Sequence, residues 1–237
     1  MPTIRLATWN INSVRLRLPL LARMTEEQKP DVVCLQETKV EDAKFPFKDI
    51  QKLGFPHVAI NGQKGYHGVA ILSRHPFVDI DKIGFCDKGD ARHLSVKIGA
   101  TEVHNFYVPA GGDIPDREKN DKFGHKLDFM TEMAERMAKG RKSKNRPAMV
   151  LVGDLNVAPL EHDVWSHKQL LDVVSHTPIE VEHLSRVYKS QDWVDVSRRA
   201  TPEPEKLYTW WSYRAADWQA SNRGRRLDHI WVTPNLE

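Results

Sequence analysis

The stretch Ala148-Met-Val-Leu-Val-Gly-Asp-Leu-Asn156 decides how this chain reads. Its apolar, β-branched run predicts a buried strand. Gly153 then permits a tight turn, and Asp154 and Asn156 follow at a spacing of two. On extended backbone, residues two apart point to the same side. A carboxylate and a carboxamide are therefore expected together at the end of a rigid core strand. Such a pair can orient a water, hold a divalent cation and steady a developing oxyanion. Gly, Asp and Asn are also ordinary turn residues, so one such segment carries little weight alone.

Comparable strand ends recur along the chain. Alternation and β-branched runs predict strands over 3–9, 31–36, 57–61, 69–73, 77–83, 93–98, 102–107, 148–155, 193–195, 208–211 and 227–232. Asn10 and Asn12 follow the first, Glu37 the second and Tyr107 closes another, while Asp228 lies within the last. If these ends converge, Glu37 supplies a hard anionic ligand and Asn10 a neutral oxygen. That donor set suits Mg²⁺ or Mn²⁺, which keep several waters and use few protein carboxylates. Phe123, Leu127, Met130, Ala134 and Met137 recur at steps of four and three, an amphipathic helix whose methionines are core packing. A second helix is predicted over 16–28, with Pro19 in its first turn. Residues 111–120 read as a long surface loop. Strands interleaved with helices imply an α/β protein, two packed sheets flanked by helices, forming one domain over 1–237.

The 237 residues suffice for one well-buried core, and the net charge is only +3. No apolar run approaches the ~20 residues a membrane span needs. The amino terminus enters a strand pattern without the apolar segment of a secretion signal. Cys34, inside a strand, is expected to be a buried free thiol suited to a reducing cytoplasm, and its spacing from Cys86 does not suit zinc. Basic residues cluster at 139–146, after a helix end that favours cations, and at 222–226, just before Asp228.

In order, Thr8-Trp-Asn-Ile-Asn-Ser-Val-Arg15, Pro30-Asp-Val-Val-Cys-Leu-Gln-Glu-Thr-Lys39, Gly62-Gln-Lys-Gly-Tyr-His-Gly-Val-Ala-Ile71, Tyr107-Val-Pro109, Gly153-Asp-Leu-Asn156 and Asn222-Arg-Gly-Arg-Arg-Leu-Asp228 resemble the exonuclease III family of apurinic/apyrimidinic endonucleases. The resemblance runs over nearly the whole chain. It implies a DNase I-like four-layer fold, with two mixed β-sheets packed face to face between helices. It implies a Mg²⁺-dependent DNA repair enzyme that cuts duplex DNA 5′ to abasic sites and processes 3′ ends; nothing in the sequence argues against a monomer. Carried onto this sequence, Glu37 becomes the main metal ligand with Asn10 and Asn12 near it. Asp154 orients or deprotonates the attacking water, Asn156 stabilises the transition state, and Tyr107 meets the scissile phosphate as donor or phenolate. Asp228 holds a catalytic histidine. Trp210 lines the pocket for the extruded sugar, with Trp211 turned into the core. Arg117, Asn222, Arg223, Arg225 and Arg226 contact DNA.

The family pattern continues to a Ser-Asp-His strand, whereas this sequence ends at Thr233-Pro-Asn-Leu-Glu237. The histidine strand is therefore expected to be missing. His229, next to Asp228, should face the opposite way on a strand. Two other readings stand beside the first: a same-fold phosphoesterase acting on phosphoinositides or RNA, and a DNA-binding form without catalysis.

Overall fold

The computed structural model describes residues 3–139, 141 and 147–237. The chain divides into two compact units, Met1–Tyr107 with Pro147–Asp154, and Val108–Arg146 with Leu155–Glu237. In chain order the strands are β1 (Leu6–Asn10), β2 (Val32–Gln36), β3 (His57–Asn61), β4 (Val69–Ser73), β5 (Asp79–Asp81), β6 (His93–Ile98), β7 (Thr101–Tyr107), β8 (Ala148–Asp154), β9 (Val194–Asp195) and β10 (Asp228–Val232). The helices are α1 (Leu18–Gln28), α2 (Phe47–Lys52), α3 (Asp121–Met137), α4 (His167–Leu170), α5 (Pro178–Ser190), α6 (Val196–Ala200) and α7 (Trp218–Ser221). The strands form two mixed sheets, one of four and one of six, with helices flanking them, as expected.

In the first unit one sheet runs β1-β2-β4-β3, with only β1 and β2 parallel, and the other contains β5-β6-β7-β8, with only β7 and β8 parallel. β2 and β4 are buried at every position, which is why their sequences read as unbroken apolar runs. Val33, Leu35, Ala70 and Leu72 pack with Leu21 of α1 and Ile50 of α2. Each fully buried aliphatic side chain there contributes roughly 1.5–3 kcal/mol. The other face of β2 meets β7 through two buried amides. Gln36 Nε2 donates to Asn105 Oδ1 at 2.6 Å, and Asn105 Nδ2 donates to the Leu35 and Ala70 carbonyls, each at 3.0 Å. A one-residue slip of β2 would strand both amides, so the pair fixes the register behind the strand ends.

In the second unit α3 packs on α5, burying Phe123, Leu127, Met130, Met133 and Met137 with Leu184 and Val187. β9 pairs with β10 antiparallel. Helix α5 was not anticipated, although Thr177 and Glu180 form a reciprocal capping box at its start.

Three expectations need correction. Gly153 lies inside β8 rather than in a turn. Its φ is +139°, and a Cβ there would fall 1.9 Å from the Phe106 carbonyl oxygen, so glycine is required for close approach to β7. The extended geometry assumed for both Asp154 and Asn156 ends at Asp154, and Asn156 adopts φ +54°. Residues 208–211 are not a strand; Trp210 forms only an isolated bridge to Arg225. Of the basic run 139–146, only Lys139 and Arg141 lie within the described residues, and Arg141 pairs with Asp192.

Candidate active site

Glu37 follows β2 directly and sits at φ +52°, a left-handed conformation that costs a non-glycine residue about 1–3 kcal/mol. The turn is held by its neighbours: Ser13 N–H donates to the Glu37 carbonyl at 2.7 Å, and Lys39 N–H to that of His67 at 3.0 Å. The Glu37 side chain meets the ends of two other strands, β1 and β7, and Lys39 of its own turn. Asn10 Nδ2 and the Tyr107 hydroxyl each donate to Oε1 at 2.8 Å, and Lys39 Nζ lies 2.8 Å from Oε2. The same Asn10 nitrogen donates to Asp154 Oδ2 at 2.8 Å. One amide thus joins two carboxylates 117 positions apart in sequence, and this is the convergence the strand ends predicted. Asn12 is turned aside, its Oδ1 accepting from Lys39 at 2.5 Å.

Burial opposes ionisation of Glu37. Hydrogen bonds from Asn10, Lys39 and Tyr107, with the Lys39 charge, outweigh it and hold the carboxyl below its usual range. Tyr107 goes the other way. Burial first, then the Glu37 and Asp154 charges, push its phenol far above the ordinary value. Its hydroxyl donates to Glu37 here. Arg92 clamps it, with the guanidinium 4.9 Å from the ring centroid and Nη1 donating to the Tyr107 carbonyl at 3.2 Å.

In the second unit Asn156 Nδ2 donates to the Val108 carbonyl at 2.8 Å. One Asp228 carboxylate oxygen is buried without a hydrogen-bond partner among the described residues. Burial, partly countered by Thr209, pushes the Asp228 carboxyl up to about 6. His229 is the next residue of β10 and lies on the face opposite Asp228, as expected. It is fully buried, donates from Nε2 to the Val157 carbonyl at 2.9 Å, and is pushed down to about 3 by burial and then by Arg226.

The basic residues divide sharply. Arg226 is 1% exposed and lies 2.9 Å from Asp163 and 2.7 Å from Asp195, so it is structural and not placed to grip a phosphate. Arg225 is half-buried, donates to the Val174 carbonyl and the Ser175 hydroxyl, and lies 5.7 Å from the Trp210 ring centroid. Arg223 is exposed over the Trp165 ring, and Arg117 pairs at the surface with Asp128. Trp210 is half-buried. Trp211, expected in the core, is half-buried against Trp218 and donates to Asn222 Oδ1 at 3.0 Å.

Residues 7–237 match the Endonuclease/Exonuclease/phosphatase family. The chain belongs to that family. It is 31% identical to exodeoxyribonuclease III of Haemophilus influenzae, over 98% of this chain and 89% of that protein. It is 29% identical to an exodeoxyribonuclease of Bacillus subtilis, over 99% and 90% respectively. An AP endonuclease from Archaeoglobus fulgidus superimposes with a TM-score of 0.89 at 34% identity, over 99% of this chain and 88% of that one. A 3′ phosphatase from Neisseria bound to product DNA hairpin gives 0.88 at 30% identity, over 98% and 88%.

This member of the endonuclease/exonuclease/phosphatase family is thereby a metal-dependent phosphodiesterase. Among the described residues no three His, Cys, Asp or Glu gather as a metal centre. Glu37 and Asp154 offer carboxylate oxygens, which fits a hard cation that retains waters. Lys39 and Arg92 escaped the sequence reading, because only the fold reveals which cation faces Glu37 and which ring Arg92 covers. No helix among the described residues is long and apolar enough to cross a membrane.

Proposed function

We propose that this protein is a Mg²⁺-dependent DNA repair nuclease that cuts duplex DNA 5′ to abasic sites and trims 3′ ends. Mn²⁺ is expected to substitute. The observation that carries the reading is the Asn10 amide bridging Glu37 and Asp154, with the Tyr107 hydroxyl on the same Glu37 oxygen.

Glu37, with Asn10 beside it, would hold the metal, which when bound neutralises charge on the phosphate oxygens. Asp154 takes the proton of the attacking water as the new oxygen–phosphorus bond forms and the ester bond on the far side breaks. Tyr107 and Asn156 donate hydrogen bonds to the charge that builds on phosphorus-bound oxygen. Asp228 is assigned to orient a histidine, and no histidine of the described residues bonds to it. Trp210 shapes the pocket for the extruded abasic sugar, whose extrusion is cheapest because the base is already gone. Asn222, Arg223, Arg225 and Arg117 favour the DNA backbone, through direct contact or by shaping the surface around it. The enzyme acts as a monomer in a reducing cytoplasm, where the buried Cys34 thiol stays inert.

The test is incision of a duplex with a single abasic site. Incision 5′ to the site that needs Mg²⁺ and stops with chelator is expected, well ahead of turnover on phosphoinositide or RNA. Binding without cleavage at any divalent concentration, or preference for another ester, would overturn it.

A further inference from the structure

Lys126 interrupts the apolar face of α3 and is completely buried, as is its partner Glu180. Its ammonium has three hydrogens, and three acceptors take them: the Asn156 carbonyl at 2.8 Å, the Ala110 carbonyl at 3.2 Å and the Glu180 carboxylate. Glu180 is itself saturated, accepting from Ser175 N–H at 2.9 Å and from the Thr177 hydroxyl at 2.6 Å within the capping box. Gly111 makes room for the lysine stem, since a Cβ there would meet Lys126 Cδ at 2.9 Å.

Stability alone does not explain such a pair. Apolar residues of similar volume commonly serve a fold as well as, or better than, a buried ion pair. What the pair supplies is position. Asn156 occupies a left-handed conformation at φ +54°, which asparagine tolerates better than other residues with a Cβ. It is held at both ends: its amide donates to the Val108 carbonyl at 2.8 Å, and its carbonyl accepts from Lys126 at 2.8 Å. Lys126 also grips Ala110, two residues beyond Val108, so both segments are tied to a single ammonium.

We infer that Lys126, backed by Glu180, is a positioning residue that fixes Asn156 for phosphodiester cleavage; this rests on the role proposed for Asn156. The test is the paired substitution Lys126→Met with Glu180→Gln, which leaves neither a buried charge nor an empty cap. Single-turnover incision should slow about 10- to 100-fold, the loss expected from roughly 1 Å of misplacement. Affinity for abasic DNA should stay within about threefold. Made on top of Asn156→Ala, the pair should slow incision by less than about threefold more, because coupled positions are not additive. Leu184→Ala, also buried on α5, serves as the control for destabilisation: its melting temperature should fall while its rate holds. If the paired variant does not fold, Glu180→Gln alone should show the same split between rate and affinity at smaller size.

An unchanged rate in the paired variant overturns the inference. A slowing of the same size with and without Asn156 overturns it too, while leaving the proposed function standing. A normal rate for Asn156→Ala alone removes the role of Asn156 and the inference with it.

Discussion

Replacing Asp154 with Asn tests the paired carboxylates most revealingly, because stability and rate should move in opposite directions. One Asn10 nitrogen sits 2.8 Å from an oxygen of Glu37 and of Asp154. The two charged groups therefore stand roughly 5 Å apart, where two like charges repel by about 3 kcal/mol at an effective dielectric near 20. Asn10 and Lys39 offset part of that. Asp154→Asn keeps the shape and an acceptor for Asn10 while deleting one charge, so the metal-free protein should gain about 1–3 kcal/mol. At roughly 2–4 °C per kcal/mol for a chain of this size, the gain is readable in a thermal melt with chelator present. The further stabilisation that Mg²⁺ gives the parent should shrink in the variant. Single-turnover incision should fall about 10²- to 10⁴-fold, the usual contribution of a positioned base. A variant that melts lower than the parent in chelator, or that cuts within tenfold of it, would refute the reasoning.

Removing Lys39, the ammonium on Glu37 Oε2, should raise Mn²⁺ affinity about fivefold by calorimetry, since a partly buried pair of this kind is worth about 1 kcal/mol. Unchanged or weaker binding would speak against Lys39 as a competitor for that oxygen. Asp228, whose folded value near 6 lies above its ordinary one, favours the fold only while protonated. Its contribution is full below about pH 4 and is lost as pH rises to about 6, by up to ~3 kcal/mol. Asp228→Asn should abolish that fall between pH 4 and 6 in denaturant titrations, and a fall that persists would assign it to another group. The two arginines should separate cleanly. Arg226→Ala removes the buried partner that Asp163 and Asp195 share and should cost about 3 kcal/mol of stability, the low end for a broken buried pair because Arg198 still holds Asp163. Arg223→Ala should leave stability within ~0.5 kcal/mol and lower the salt slope of DNA binding by about 1.

Much of this was legible in the residues, and the remainder was hidden for identifiable reasons. Strands 57–61, 69–73 and 93–98 fall where alternation and apolar runs put them: β4 is buried throughout, β6 at all positions but Lys97, and β3 at Ala59 and Ile60. The 208–211 segment misled: its aromatics have strand propensity, but Trp210 is held by one bridge to Arg225 and the others by ring contacts with Tyr208 and Trp218. Helix α5 lies outside the sequence expectations, although Thr177 and Glu180 carry a capping-box signal. The strand ends point to Glu37 and Asp154, and the resemblance gives them roles. That Asn10 would bridge them, and that Arg226 would vanish into the core with Asp163 and Asp195, depended on pairing across distant sequence. A basic run looks the same whether it faces phosphate or carboxylate.

The most direct measurement is anomalous diffraction from crystals grown with Mn²⁺. A single peak bonded to a Glu37 oxygen at about 2.1 Å, with Asp154 turned toward the same ion or one of its waters, is the predicted result. A Mn²⁺ bound elsewhere while Glu37 keeps Asn10, Tyr107 and Lys39 as its only partners would contradict the account.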